Sequence, residues 1–214
     1  ETAHEANIIH RDLHPGNIIV CEDRRGRLQL KVLDFGIAKF VENSKQDSRK
    51  TATSIGTSFY CAPEQMGPAL REDAAAHGFN IARGVSAATD IWPLGLVALE
   101  LICGLSSKHY WGTLAHDYMS ESCLKPRVPP SRWAATLEPK LTFPDGFDDW
   151  FCRCTAHAAE HRWPSASDAV NALLPMLLPV SGDDFQAGAT ITHLDHVNNE
   201  RLELFGHWPR PEGE

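Results

Sequence analysis

His10-Arg11-Asp12-Leu13-His14-Pro15-Gly16-Asn17 is the stretch on which the reading of this 214-residue chain turns. Pro15 and Gly16 argue against a helix there, so Asp12 and Asn17 sit on a loop. Upstream, residues 1–6 read as the last turn of a helix, with Asn7 placed for a left-handed cap. Downstream, the apolar runs Asn17 to Cys21 and Leu28 to Leu33 flank a polar stretch with Gly26, which is the pattern of a β-hairpin. The hairpin delivers Asp34, Phe35 and Gly36, seventeen residues after Asn17. A hydroxyl-rich and basic stretch, Ile37 to Cys61, then runs to Ala62-Pro63-Glu64. A segment that long and that aperiodic within a compact domain is usually functional.

Outside this region the pattern is helical. Thr89 to Cys103 is apolar almost all the way round, as in a helix buried on every side, with Asp90 at its start, Pro93 early and Gly104 at its end. Further helices are expected near Leu114 to Ser122, Phe147 to His157 and Ser165 to Leu178, with a proline-rich link from Pro126 to Pro130. Beyond Pro179 the composition turns acidic: Ser181 to Glu214 holds seven carboxylates against Arg201 and Arg210, most of the chain's net charge of -8. The expected organisation is a domain over residues 1–178 and an acidic, poorly ordered linker or tail over 179–214, and the fold class is mainly α with one small hairpin.

With 43% hydrophobic and 22% charged residues the composition is that of an ordinary globular protein. A net negative charge offers nucleic acid no electrostatic footprint, and no apolar run is long enough to span a membrane. Six cysteines without a CxxC pair read as small core hydrophobes in a reducing, cytoplasmic setting.

Taken together and in order, H-R-D-L-x-x-x-N, D-F-G and A-P-E resemble the catalytic-loop, metal-loop and closing signatures of protein kinases. The chain is similar to the C-terminal lobe of a eukaryotic-like serine/threonine protein kinase, without the N-terminal lobe. Pro15 in the loop and Gly56-Thr57-Ser58-Phe59-Tyr60 before the closing motif are similar to the serine/threonine class, and His109-Tyr110-Trp111 to bacterial members. The resemblance implies ATP and Mg2+ as cosubstrate and metal and a protein as acceptor. Asp12 would orient the acceptor hydroxyl, and Asn17 and Asp34 would hold the metal-bound nucleotide through hard oxygens. Arg11 would pair with a phosphate on Thr51, Thr53 or Ser54, and Thr57 would bond near Asp12. Structural roles are implied for His10, Phe35 and Gly36 around the loops, for Asp90 as the holder of the loop backbone, and for Glu64 paired with Arg162.

The chain departs from the family at position 14, where His14 stands in place of the usual Lys; an imidazole is only partly charged near neutrality. The Gly-rich lid, the strand Lys and the helix Glu of the family are expected in an N-terminal lobe supplied in cis, without which the chain is expected to be inactive. The stretch Gly67 to Ala88 reads as an insertion. Two other readings have footholds in the residues. His157-Ala158-Ala159-Glu160-His161 spells the inverted zinc-protease motif, which needs both imidazoles on one helical turn. A pseudokinase or interaction module is the other, motivated by His14.

Overall fold

A computed structural model describes residues 2–22, 27–35, 57–111, 122–137 and 141–177. Residues Glu1–Met176 form one compact unit, and the expected acidic tail lies outside the described residues. The elements are helix α1 (Thr2–Glu5), strands β1 (Ile18–Glu22) and β2 (Leu28–Val32), then helices α2 (Pro68–Ala76), α3 (Ala87–Cys103), α4 (Ser107–Trp111), α5 (Pro130–Ala134), α6 (Phe147–Cys154) and α7 (Ala166–Leu177). The fold is helical with one small antiparallel sheet, as expected. In that sheet Ile18 stands opposite Val32 and Glu22 opposite Leu28. Asn7, at φ 57°, ends α1 in the left-handed conformation that asparagine tolerates.

Helix α3 is the axis of the core. Ile91, Trp92, Leu96 and Leu99 are buried completely or nearly so, and each such side chain contributes roughly 1.5–3 kcal/mol over its exposed state. The helix begins two residues before Thr89, because the Thr89 hydroxyl accepts the Ser86 N–H at 3.0 Å. Two sequence expectations change with that start. Asp90 does not cap its own helix; its carboxylate takes the backbone N–H groups of His10 and Arg11, the loop-holding role that the resemblance implies, and Pro93 is an interior residue rather than a first-turn one. Gly104, at φ 65°, closes the helix by donating to Glu100 O at 2.7 Å.

Against α3 packs α6, through Phe147, Trp150, Phe151 and Cys154, all nearly or fully buried. Gly95 makes the approach possible, since a Cβ there would lie 2.6 Å from that of Cys154. The Trp150 indole donates to Ala169 O at 2.7 Å and so ties α7 to this layer. Helix α7 starts where the Ser165 hydroxyl accepts the Asp168 N–H at 3.0 Å. All six cysteines are free, and burial pushes the thiols of Cys123, Cys152 and Cys154 upward.

Helix α2 has no counterpart in the sequence reading, where Gly67 to Ala88 is an insertion. Pro68 fixes its first turn and His77-Gly78, with Gly78 at φ 84°, ends it, but only Ala74 along it is buried. One core contact leaves no apolar period to read. Helix α6 is shorter than expected because the chain turns at Thr155, whose hydroxyl donates to Phe151 O at 2.9 Å. The expected Leu114 to Ser122 helix lies outside the described residues apart from Ser122.

That early turn also removes the zinc-protease reading. Ala159–His161 form a single 3-10 turn, so His157 and His161 do not share an α-helical face. His157 instead stacks on Phe79 at 4.2 Å and accepts from the Arg127 guanidinium at 2.9 Å. Among the described residues no group of three or more His, Cys, Asp or Glu is arranged to hold a metal. Burial first, then the charges of Arg127 and Arg162, push the His157 imidazole down to about 4.

The lower part of the fold is fastened by one buried ion pair. Arg162 donates to the two Glu64 oxygens at 2.7 and 2.9 Å, with both side chains fully inaccessible. Its remaining donors go to Ala156 O at 2.8 Å and Ala88 O at 2.8 Å, and its plane lies over Trp92 at 5.1 Å. Removing one partner strands a buried charge. Arg162→Ala should therefore cost about 3–5 kcal/mol, read from the shift of a urea unfolding curve; a loss of less than about 1 kcal/mol would refute this.

His157 generates a second expectation. Its folded-state value lies below that of the unfolded chain, so the unfolded state binds the proton more readily between the two. The stabilisation is complete above the unfolded value of about 6.5 and is lost as pH falls toward about 4. Melting temperature should fall across that window in the parent chain and fall less in His157→Gln. Parallel profiles would show that His157 does not carry the dependence.

Candidate active site

The loop from His10 to Asn17 is held from below by Asp90 of α3, a carboxylate only 6% exposed. Its Oδ2 accepts the His10 N–H at 2.8 Å and the His4 imidazole at 2.8 Å, while Oδ1 accepts the Arg11 N–H at 2.8 Å. Two backbone donors on one carboxylate force a tight turn, and Arg11 takes it at φ 65°. A non-glycine residue there costs about 1–3 kcal/mol unless its surroundings hold it, which charge-assisted bonds to a buried acceptor do.

His10 links this turn to the end of the hairpin. Its Nδ1 accepts the Asp12 N–H at 3.2 Å and its Nε2 donates to Leu33 O at 2.7 Å, a pairing that fixes the neutral Nε2–H tautomer. The ring lies 4.8 Å from that of Phe35. Buried Asn17 completes the connection: its Nδ2 donates to Asp12 O at 2.9 Å and its carbonyl accepts the Leu33 N–H at 2.8 Å. Leu33 is thus bonded to both His10 and Asn17, and it directly precedes Asp34, itself left-handed at φ 51° and exposed. The backbone segments that carry Asp12, Asn17 and Asp34 are tied together. Because the Asn17 amide spends its NH2 on Asp12 O, its oxygen remains available as a hard donor beside the Asp34 carboxylate's segment.

His14 caps the short turn Pro15–Asn17, its Nδ1 accepting the Gly16 N–H at 3.1 Å. Its Nε2 is 3.9 Å from Asp12 Oδ2, and its ring 6.0 Å from that of Tyr60. Gly16 is required by this arrangement, since a Cβ would approach His14 Cε1 to 2.9 Å. The Nδ1 of His14 is thus engaged by backbone, and its Nε2 is the ring nitrogen nearer Asp12.

The closing segment docks on the same loop through Gln65. Its Nε2 donates to Arg11 O at 2.6 Å and its Oε1 accepts the Ala62 N–H at 2.9 Å. Tyr60, two residues before Ala62, donates its hydroxyl to Glu100 of α3, which also accepts the Ser107 N–H at 3.2 Å. Burial and the Glu100 carboxylate raise the Tyr60 phenol well above its ordinary range. His4, Gln65 and Glu100 were not among the sequence-predicted residues. Only Gln65 left a trace, as the third residue after a turn start, where a Gln can reach back to the backbone. Gly36, Thr51, Thr53 and Ser54 lie outside the described residues, and Thr57 opens the 3-10 turn Thr57–Tyr60.

Residues 1–172 match the protein kinase domain family. The serine/threonine-protein kinase PknB of Mycolicibacterium smegmatis is 32% identical over 145 residues, 65% of this chain and 19% of that protein. The serine/threonine-protein kinase Pkn1 of Myxococcus xanthus is 30% identical over 173 residues, 81% of this chain and 22% of that protein. The chain also covers 49% of a crystallised kinase domain, that of Mycobacterium tuberculosis PknI, which covers 81% of it at 22% identity and a TM-score of 0.44. It spans about a fifth of the length of the curated relatives it matches. Mostly bacterial serine/threonine kinases surround it, and this chain belongs to the protein kinase domain family.

Proposed function

We propose that the chain is the catalytic C-terminal lobe of a cytoplasmic serine/threonine protein kinase that transfers the ATP γ-phosphate to protein hydroxyls. The observation that carries the reading is the set of bonds from Asn17 and His10 to Leu33, which joins the segments bearing Asp12, Asn17 and Asp34. Asp12 orients the acceptor hydroxyl and takes its proton. Mg2+ fits the donor set, because a nucleotide-bound Mg2+ takes one or two protein oxygens and completes its shell with phosphate and water. Asn17 Oδ1 and the Asp34 carboxylate are the oxygens that would hold it, and the metal would neutralise charge on the transferring group. Arg11, placed by Asp90, would pair with a phosphate on Thr51, Thr53 or Ser54, with Thr57 beside Asp12.

The hairpin supports an N-terminal lobe in cis as the partner of this surface. Val20, Leu28, Leu30 and Val32 share one face of the sheet and are 42–70% exposed, with Glu22 at its end opposite Leu28, so the exposed apolar side chains are contiguous rather than scattered. Covering it would place the nucleotide between that lobe and the Asp34 segment. The acidic stretch 179–214 would serve the lobe as a linker or tail.

In the kinase expressed together with its N-terminal lobe, Asp12→Ala and Asp34→Ala should each lower phosphate incorporation from labelled ATP by at least about a hundredfold, the lower range for loss of a positioned base. Incorporation retained by both variants would remove these roles from Asp12 and Asp34, and a parent protein that incorporates no phosphate would favour the pseudokinase reading. His14→Lys should raise turnover by about tenfold, less than the ~10²–10³ that a dedicated donor contributes, because it places a permanent cation where an imidazole, only partly charged near neutrality in its ordinary range, now caps Gly16. An unchanged rate would take His14 out of the chemistry.

A further inference from the structure

A surface apart from that chemistry is built for contact. Tyr110 and Trp111 of α4, Pro126 and Val128, and Trp133 of α5 line a shallow open groove. Its walls are rigid aromatics. Tyr110 meets Trp111, Trp133 and Phe151 edge-on at 4.7, 5.5 and 5.2 Å, and its hydroxyl donates to Val128 O. Trp111 stacks on Trp92 of α3 at 6.0 Å, with the Arg127 guanidinium 4.6 Å from its ring centre. Val128 is 45% exposed, and Tyr110 and Trp133 are half-buried. Side chains already fixed by packing lose little freedom when an apolar group settles among them, which is what makes aromatic clusters effective anchors.

The charge around the groove selects the occupant. Each of the three segments that line it carries an exposed basic side chain beside a lining residue: Lys108 and His109 before Tyr110, Lys125 before Pro126, and Arg132 before Trp133. Among the described residues that flank the lining positions none is a carboxylate. Asp148, which accepts the Ser131 N–H at 2.9 Å and the Ser131 hydroxyl, keeps a negative charge that reaches Tyr110, and the basic side chains outnumber it. On a chain with a net charge of -8, this is a local reversal of sign.

We propose that this groove docks an acidic segment of a partner protein, one apolar side chain seated among Tyr110, Val128 and Trp133 and its carboxylates facing Lys108 and Arg132. The interaction does not depend on phosphoryl transfer, so its failure leaves the proposed activity untouched, and the reverse holds too.

The test uses the full chain and a fluorescein-labelled, end-capped peptide in which one leucine lies between two pairs of glutamates, read by anisotropy. Saturable binding is expected, about tenfold weaker in the double variant Lys108→Glu/Arg132→Glu, in line with two partly exposed charge contacts. Val128→Asp, at an exposed position, should weaken it to a similar degree without disturbing the fold, which circular dichroism checks. No saturable binding would overturn the proposal. Equal binding of a peptide with glycine for leucine, or with lysines for the glutamates, would overturn it as well. A concentration-dependent dimer that Val128→Asp dissolves would assign the groove to a second copy of the chain and overturn it too.

Discussion

The Asp90 carboxylate is the constraint on which the site depends. It is delivered by the most deeply buried helix of the protein, and it is filled by two successive backbone N–H groups and one imidazole. Withdrawing it would leave Arg11 in a left-handed conformation with no compensating bond, and the loop would relax toward ordinary backbone geometry. His10 would then lose its position between Asp12 N–H and Leu33 O, and the Asp34 segment would lose its tie to the loop. A single carboxylate on a packed helix therefore fixes the arrangement of the loop and of the Asp34 segment tied to it.

The Glu64 and Arg162 pair does for the closing segment what Asp90 does for the loop. Its five-donor guanidinium is occupied by a carboxylate, by carbonyls and by the face of Trp92, so desolvating the pair leaves little unsatisfied. The two anchors meet through Gln65, which bridges Arg11 O and the Ala62 N–H. Closing segment and loop consequently share one rigid support, α3, rather than resting on each other alone.

Local order in the chain announced what local physics determines. The hairpin was legible from two apolar runs and a polar turn, α3 from its continuous hydrophobicity, and Asp12, Asn17 and Asp34 from motif spacing. What escaped is what depends on distant partners. Helix α2 buries one alanine and so carries no period, and the 3-10 turn at Ala159–His161 replaced a helix because Thr155 turns the chain. The start of α3 moved upstream by two residues because a threonine hydroxyl caps it. His4 and Glu100 find their partners 86 and 40 residues away in sequence, separations that no local pattern encodes.

Among the described residues the sheet formed by the hairpin has two strands, so each strand is an edge and presents one row of backbone groups open to pairing. Leu28, Leu30 and Val32 alternate along one of these edges, with Gln29 and Lys31 on the opposite face. Alternating leucine and valine on an open edge is a template for strand addition, and one lysine is a modest guard against it. Such a strand is protected only by what lies over it, so the face bearing Leu28, Leu30 and Val32 is where a covering element has the most backbone and apolar surface to gain.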